Sequence, residues 1–204
     1  MKRNNKTVIG FTGGVGSGKS TVLSEIVKQY DVHLIAADEV GRKLMEKGRI
    51  LYRMLIKRYG TAILDVSGEI HKGKLAEIAF QTKESQAEIN AIEHPVIRRS
   101  IETGIRNTKK QFVLVEAALL KEGGLTEICD YVISVITDPE IRIKRLMESR
   151  GYSEEKCRAI IDKQKTNAEF REMSTKVFEN NGELSETLGS VFSYLDALGV
   201  PKKR

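Results

Sequence analysis

Residues 10–21 read GFTGGVGSGKST, and no other stretch restricts the fold of this 204-residue chain so strongly. Gly13, Gly18, Lys19 and Ser20 stand at the fixed places of G-x-x-x-x-G-K-[ST]. Gly13, Gly14, Gly16 and Gly18 admit backbone angles that L-residues resist, so successive N–H groups can turn inward on an anion. The run before the loop, TVIGFT (Thr7–Thr12), is β-branched and apolar, and reads as a buried parallel strand. After it, Val22, Leu23, Ile26 and Val27 recur at helical spacing between Lys19 and Tyr30. A glycine loop between such a strand and such a helix is a phosphate loop. A flexible Gly-Ser turn is the alternative, but it does not require that context.

Within the motif, Gly14, Val15, Gly16, Ser17 and Gly18 supply backbone donors, and the helix adds its positive end. Lys19 reaches the β- and γ-phosphates, Ser20 offers its hydroxyl to Mg²⁺, and Thr21 lies against the α-phosphate of a nucleoside triphosphate such as ATP.

The remaining elements alternate. VHLIAAD reads as a second strand ending at Asp38. From Glu39 to Asn107 the pattern is helical, in GRKLMEKG, ILYRMLIKRYG, KLAEIAFQ, QAEINAIE and PVIRRSIETGI, with DVSGEI as a turn. Strands return at FVLVEA (112–117) and YVISVI (131–136), followed by helices at 139–149 and 153 to about 166. KVFEN gives a last short strand, and residues 183–198 a closing helix. This order predicts an α/β domain: a central parallel sheet with helices on both faces, and ligands at the carboxyl ends of the strands. We expect one domain over 1–204, with a helical insertion at about 39–110 and a lid at about 139–155. The glycine loop, Asp38, Glu116 and the segment after Ile136 fall at those strand ends.

Composition excludes several classes. Apolar runs such as FVLVEAALL are too short for a membrane span, and no apolar leader follows MKRNNK, so a cytoplasmic protein with no membrane partner is expected. Cys129 and Cys157 are isolated and suit a reducing compartment. The net charge of +6 is spread among acids along helices rather than stacked in a stripe. It suits several small-molecule phosphates in one cleft, not nucleic acid, and the PKKR end is a solvated tail. A monomer or weak homo-oligomer is expected.

A guanine-reading N-K-x-D is absent, and the candidate strand of a motor-type ATPase ends in VLVEA with Glu116. A small phosphotransferase remains, with DPEIRIKRLMESRGYSEE as its basic lid. Arg142 and Arg145 share a helix face, and Arg150 follows. Phosphoryl transfer needs cations on the migrating charge, whereas solvated helix charges are the reading for any one of these arginines alone.

In this order the chain resembles the dephospho-CoA kinases, small-molecule kinases of the P-loop fold. The family's D-A-D segment with an Arg four residues on corresponds to AADEVGR, with Asp38 and Arg42. Its Asn-Ala-hydrophobic-x-His-Pro corresponds to NAIEHPVIRR, with His94, Pro95 and Arg98 or Arg99. EAALLKEGGL carries Glu116, Leu119, Leu120 and Glu122, KRLMESR the lid, Gln164 the helix beyond it, and Asn180–Gly182 the late N-N-G. Ala36, Ala118 and Thr175 depart from the pattern; Ala36 removes one carboxylate from the reaction centre.

The resemblance implies transfer of the ATP γ-phosphoryl group to the ribose 3′-hydroxyl of dephospho-CoA, the last step of coenzyme A synthesis. It implies a catalytic set of Asp38, Lys19 and Arg145. ATP is held by Gly14–Thr21, Arg145 and Asn180; the acceptor by Asp38, Arg42, His94 and Glu116; and Mg²⁺ by Ser20. Asp38 suits a base that orients the hydroxyl and takes its proton, or an N-cap of the following helix. Arg42 suits an acceptor phosphate or a surface salt bridge. His94-Pro95, at a helix start, orients a loop or the acceptor; Glu116 holds Mg²⁺ through water, fixes a basic side chain, or is structural. His33 and His71 have no partner pattern. A kinase for another nucleotide or sugar, and a nucleotide-driven switch without phosphoryl transfer, are the alternatives.

Overall fold

The structure, a computed structural model, describes residues 5–79 and 81–203. The basic start MKRN, the last residue of the PKKR tail, and Phe80 of the expected KLAEIAFQ helix lie outside these residues. Five strands are formed: β1 (Thr7–Thr12), β2 (Val32–Ala36), β3 (Phe112–Glu116), β4 (Tyr131–Ile136) and β5 (Lys176–Glu179). They make one parallel sheet in the order β2-β3-β1-β4-β5. β1 is central, so the glycine loop leaves from the middle of the sheet. From β1 the chain runs to one edge, at β2; from β3 it crosses the other way, to β4. Ligands bind at such a reversal in open α/β sheets.

The helices are α1 (Lys19–Gln29), α2 (Ala37–Leu44), α3 (Ile50–Tyr59), α4 (Lys72–Ala79), α5 (Lys83–Asn107), α6 (Pro139–Arg150), α7 (Glu154–Ile161), α8 (Asn167–Met173) and α9 (Leu184–Ala197). Side chains alternate across the strands. Ile9 and Phe11 of β1 pack with Val22 and Ile26 of α1 and Val191 and Leu195 of α9. Val8 faces the other way, with Ile101 and Ile105 of α5. Burying each such side chain stabilises the fold by about 1.5–3 kcal/mol.

Helices α2 to α5 lie between β2 and β3, and part of this region has its own small core of Leu55, Ile63, Leu75 and Ile89. α5 ties the two regions together. Its Ile89 belongs to that small core, while Ile101 and Ile105 sit on the sheet.

Three expectations need correction. β2 stops at Ala36, so Asp38 lies in the first turn of α2 rather than at a strand end. Pro95 does not begin a helix; it sits inside the 25-residue α5, which continues through it. Proline has no N–H for the carbonyl four residues back, here Ala91, but packing at both ends of α5 outweighs that loss. The helix expected to run to about Thr166 ends at Ile161, and α8 follows. Thr166 and Glu169 close a reciprocal capping box at the start of α8. That signal, T-x-x-E, was present in the sequence but its apolar periodicity was too weak to announce a separate helix.

Candidate active site

The phosphate loop spans residues 13–18 between β1 and α1. Gly18 caps α1 in the left-handed region, at φ 85°. A Cβ there would meet the Asn180 amide nitrogen at 2.2 Å, so glycine is required on both counts. Asn180 is 3% exposed and lies beneath the loop. Its Nδ2 donates to the Ser17 carbonyl at 2.9 Å, and its Oδ1 accepts from the Thr187 hydroxyl at 3.0 Å. Both polar ends of Asn180 are therefore used in supporting the loop. The Thr137 hydroxyl is 3.1 Å from the same Ser17 carbonyl.

The start of α1 has neither a side-chain cap nor an acidic residue in its first turn. Its first N–H groups have no intrahelical acceptor, and the helix dipole makes that end positive. The Ser17 and Thr12 hydroxyls are buried without a hydrogen-bond partner. Each unsatisfied buried group costs about 1–3 kcal/mol. This concentration of unused donors has the chemistry that suits an anion. Ser20 and Thr21 are exposed at its rim.

Lys19 is not free. Its ammonium contacts the Glu116 carboxylate, and both side chains are largely buried. Pairing explains the position of Glu116: its Cα lies opposite Phe11 of β1 on one side and Ala36 of β2 on the other. The carboxylate thus stands between the phosphate loop and the start of α2.

The three lid arginines separate. Arg142 is 2% exposed, and its Nε donates to the Val15 carbonyl at 2.8 Å. It is not a solvent-facing lid cation. Arg150 is exposed and reaches toward the Tyr152 ring. Arg145 keeps a buried donor aimed at the loop: its Nη1 has no partner and lies 3.9 Å from where a Gly18 Cβ would be. Gln164, expected on a helix, sits just beyond the end of α7. Its Oε1 accepts from Val15 N–H at 3.0 Å and from Arg142 Nη2 at 2.6 Å.

On the other side of Glu116, a cleft of about 270 Å³ is lined by Asp38, Met45, Asn90, Glu93, His94 and Ile97, among others. Asp38 is exposed, and the N-cap of α2 is Ala36, so Asp38 does not cap that helix. Burial lowers the His94 pKa and raises that of the Glu93 carboxyl. His94 is therefore neutral at physiological pH and can exchange hydrogen bonds with a ligand. Arg42 does not line the cleft; it is exposed, 3.8 Å from Glu39. A second cleft, about 290 Å³, is lined by Gly13, Gly14, Gln164 and Lys165 and shares Leu119 with the first. The two clefts put the phosphate loop and Asp38 on one continuous surface around the end of β3. A larger groove, about 580 Å³, runs along β5 and α9 and contains none of the expected site residues.

Asn90, Glu93 and Gln164 were not expected to share these roles. Asn90, Glu93, His94 and Ile97 are spaced i, i+3, i+4 and i+7, the signature of one helix face, so their grouping was detectable once α5 is taken as continuous through Pro95. For the buried position of Arg142 the sequence carries no signal.

The dephospho-CoA kinase family model matches residues 7–186. The dephospho-CoA kinase of Geobacillus kaustophilus is 38% identical over 191 residues, covering 92% of this chain and 94% of that one. The crystal structure of TT1252 from Thermus thermophilus superposes with a TM-score of 0.82 at 27% identity, covering 95% of this chain and 97% of the other. A dephospho-CoA kinase from Campylobacter jejuni has the same fold, with a TM-score of 0.69 at 21% identity over 95% and 97% of the two chains.

Proposed function

The chain belongs to the dephospho-CoA kinase family, and from that premise we infer that it transfers the γ-phosphoryl group of ATP to the ribose 3′-hydroxyl of dephospho-CoA. It is a phosphotransferase of the P-loop kinase fold. One observation supports the site assignment above others: the donor-rich loop and the Asp38 cleft flank the same residue, Glu116, at the end of β3.

The residues divide the work as follows. Backbone N–H groups of Gly14–Thr21 hold the triphosphate, and Lys19 moves from Glu116 onto the β- and γ-phosphates. Arg145 directs its free Nη1 at the charge that develops on the migrating group. Asp38 orients the 3′-hydroxyl and accepts its proton as the oxygen bonds to the γ-phosphorus and the bond to the β-phosphate oxygen breaks. His94, neutral, hydrogen-bonds the acceptor rather than acting as the base. Asn180 supports the loop from below, and Arg42, on leaving Glu39, meets an acceptor phosphate at the rim.

Mg²⁺ fits the donor chemistry present. Ser20 would offer a hard hydroxyl oxygen at the exposed rim of the phosphate loop, and Mg²⁺ usually takes one or two protein oxygens plus substrate phosphates. Among the described residues no group of three or more His, Cys, Asp or Glu could hold the ion by itself. When bound, the ion neutralises charge on the β- and γ-phosphate oxygens.

In the same reading, α2–α5 (about 39–110) form the acceptor-binding insertion and residues 139–155 the lid. The protein works in the cytoplasm on small molecules, as a monomer or weak homo-oligomer. No helix among the described residues is long and apolar enough to cross a membrane. The test is mass spectrometry of dephospho-CoA incubated with ATP, Mg²⁺ and the protein. Gain of one phosphoryl group on the 3′ position supports the reading; an unmodified acceptor alongside phosphorylation of another nucleotide or a sugar overturns it.

A further inference from the structure

Arg142 sits behind the phosphate loop with all its visible bonds to neutral groups. Nε donates to the Val15 carbonyl at 2.8 Å and Nη2 to Gln164 Oε1 at 2.6 Å. The same Oε1 accepts the Val15 N–H at 3.0 Å, so both polar groups of Val15 are held by this pair of side chains. The contact continues to Gly14, where a Cβ would fall 2.5 Å from Nη2. Gly14 therefore faces the second cleft on one side and the guanidinium on the other.

No carboxylate compensates this charge among the described residues, and burial alone draws the Arg142 pKa down. A buried cation with only neutral partners is unfavourable for folding, and a long uncharged side chain would fill the same space at lower cost. The countercharge it lacks within the chain is the one a triphosphate carries. Arg145 cannot stand in for it, since Arg145 approaches the loop from the Gly18 end.

We propose that Arg142 is a positioning residue for the transfer: it fixes the Gly14–Val15 corner of the loop from behind, and its buried charge attracts the nucleotide phosphates through the loop without touching them. Gln164 is the second half of the device, because it couples that guanidinium to the Val15 amide. The inference rests on the phosphate loop binding ATP, as proposed above.

Gln164→Glu separates charge from geometry. The carboxylate can accept both existing hydrogen bonds, but it neutralises Arg142. Isothermal titration of the full chain with ATP and with AMP should then show ATP bound roughly tenfold more weakly, the scale of one unit charge over several ångströms in a protein-like medium. AMP should change much less, and the melting temperature should rise because the buried cation has gained a partner. Arg142→Lys keeps the charge but loses the planar fork. It should bind ATP more tightly than Arg142→Met does, yet show a lower kcat than the unaltered chain at similar KM. If Arg142→Met does not fold, Gln164→Glu still decides. ATP bound equally well by the unaltered and Gln164→Glu chains overturns this inference alone, as does equal weakening of ATP and AMP. Failure of the unaltered chain to bind ATP overturns the phosphate-loop reading as well.

Discussion

Lys19 of the phosphate loop and Glu116 at the end of β3 are ion-paired, although they lie 97 positions apart in sequence. The parallel register of β1 and β3 creates this pair, since Phe11 and Glu116 are Cα partners. A triphosphate must compete with a carboxylate for the lysine.

Glu116→Gln removes that competitor and one negative charge beside the phosphates. ATP measured by titration calorimetry without Mg²⁺ should bind about three- to tenfold more tightly. Unchanged affinity under those conditions would mean that Glu116 does not hold Lys19 back.

Lys19→Ala should lower turnover at least about a hundredfold, the scale of losing one preorganised donor. The fold should persist, because Lys19 lies at a loop–helix junction outside the apolar cores. Near-normal turnover in a protein verified by mass would remove the lysine from the reaction.

Arg145→Ala should lower kcat more than it raises the KM for ATP, because its free nitrogen serves charge that develops during transfer. Since that nitrogen makes no bond within the protein, the melting temperature should not fall appreciably. A fall in stability with kcat intact would return Arg145 to a structural role.

Asp38→Asn should cut kcat by roughly 10² to 10⁴ with little change in KM, the range of a lost general base. Because Ala36, not Asp38, occupies the N-cap of α2, helix content and melting temperature should stay as they were. Ala36→Asp places a carboxylate at that N-cap and should stabilise the fold by about 0.5–2 kcal/mol. It should disturb kcat far less than Asp38→Asn does. Retention of most activity in Asp38→Asn would move the search for the base to His94.

Burial shifts two neighbours on α5 in opposite senses. The His94 pKa is lowered from 6.5, so its contribution to stability is present above that value and lost as pH falls toward the folded one. The Glu93 pKa is raised from 4.5, so its contribution is full below that value and lost as pH rises through the folded one. Glu93→Gln removes only the second loss. In calorimetric melts the variant should exceed the parent chain at about pH 7.5 and show no advantage at about pH 4. A difference independent of pH would mean that the Glu93 carboxyl is not what responds.

Short-range signals carried much of this structure. The strand, loop and helix from Thr7 to Gln29 were legible because β-branching, glycine spacing and apolar periodicity all act over a few residues. β4 was legible to its bounds for the same reason. Asp38 was placed one element too early because VHLIAAD has no breaker, and only the register with β3 ends the strand at Ala36. Pro95 suggested a boundary that tertiary packing overrides. Arg142 reads from the sequence as one cation of a basic lid, and Asn180 as an ATP contact only through the family resemblance; that both hold the loop from behind depends on contacts 127 and 163 positions apart, which no local pattern encodes.

The continuity of α5 has a consequence for how the molecule comes apart. Its first half contributes Ile89 to a core whose buried members among the described residues are Leu55, Ile63, Leu75 and Ile89, whereas its second half is fixed to the sheet through Ile101 and Ile105. The helix also lacks one rung at Pro95, where the two halves meet. Amides of α3, α4 and the first half of α5 should therefore exchange with deuterium through an opening that leaves the second half, and the sheet beneath it, closed. A ligand in the cleft containing Asn90 and His94, which lies against this joint, should slow that opening and so stiffen the region between β2 and β3.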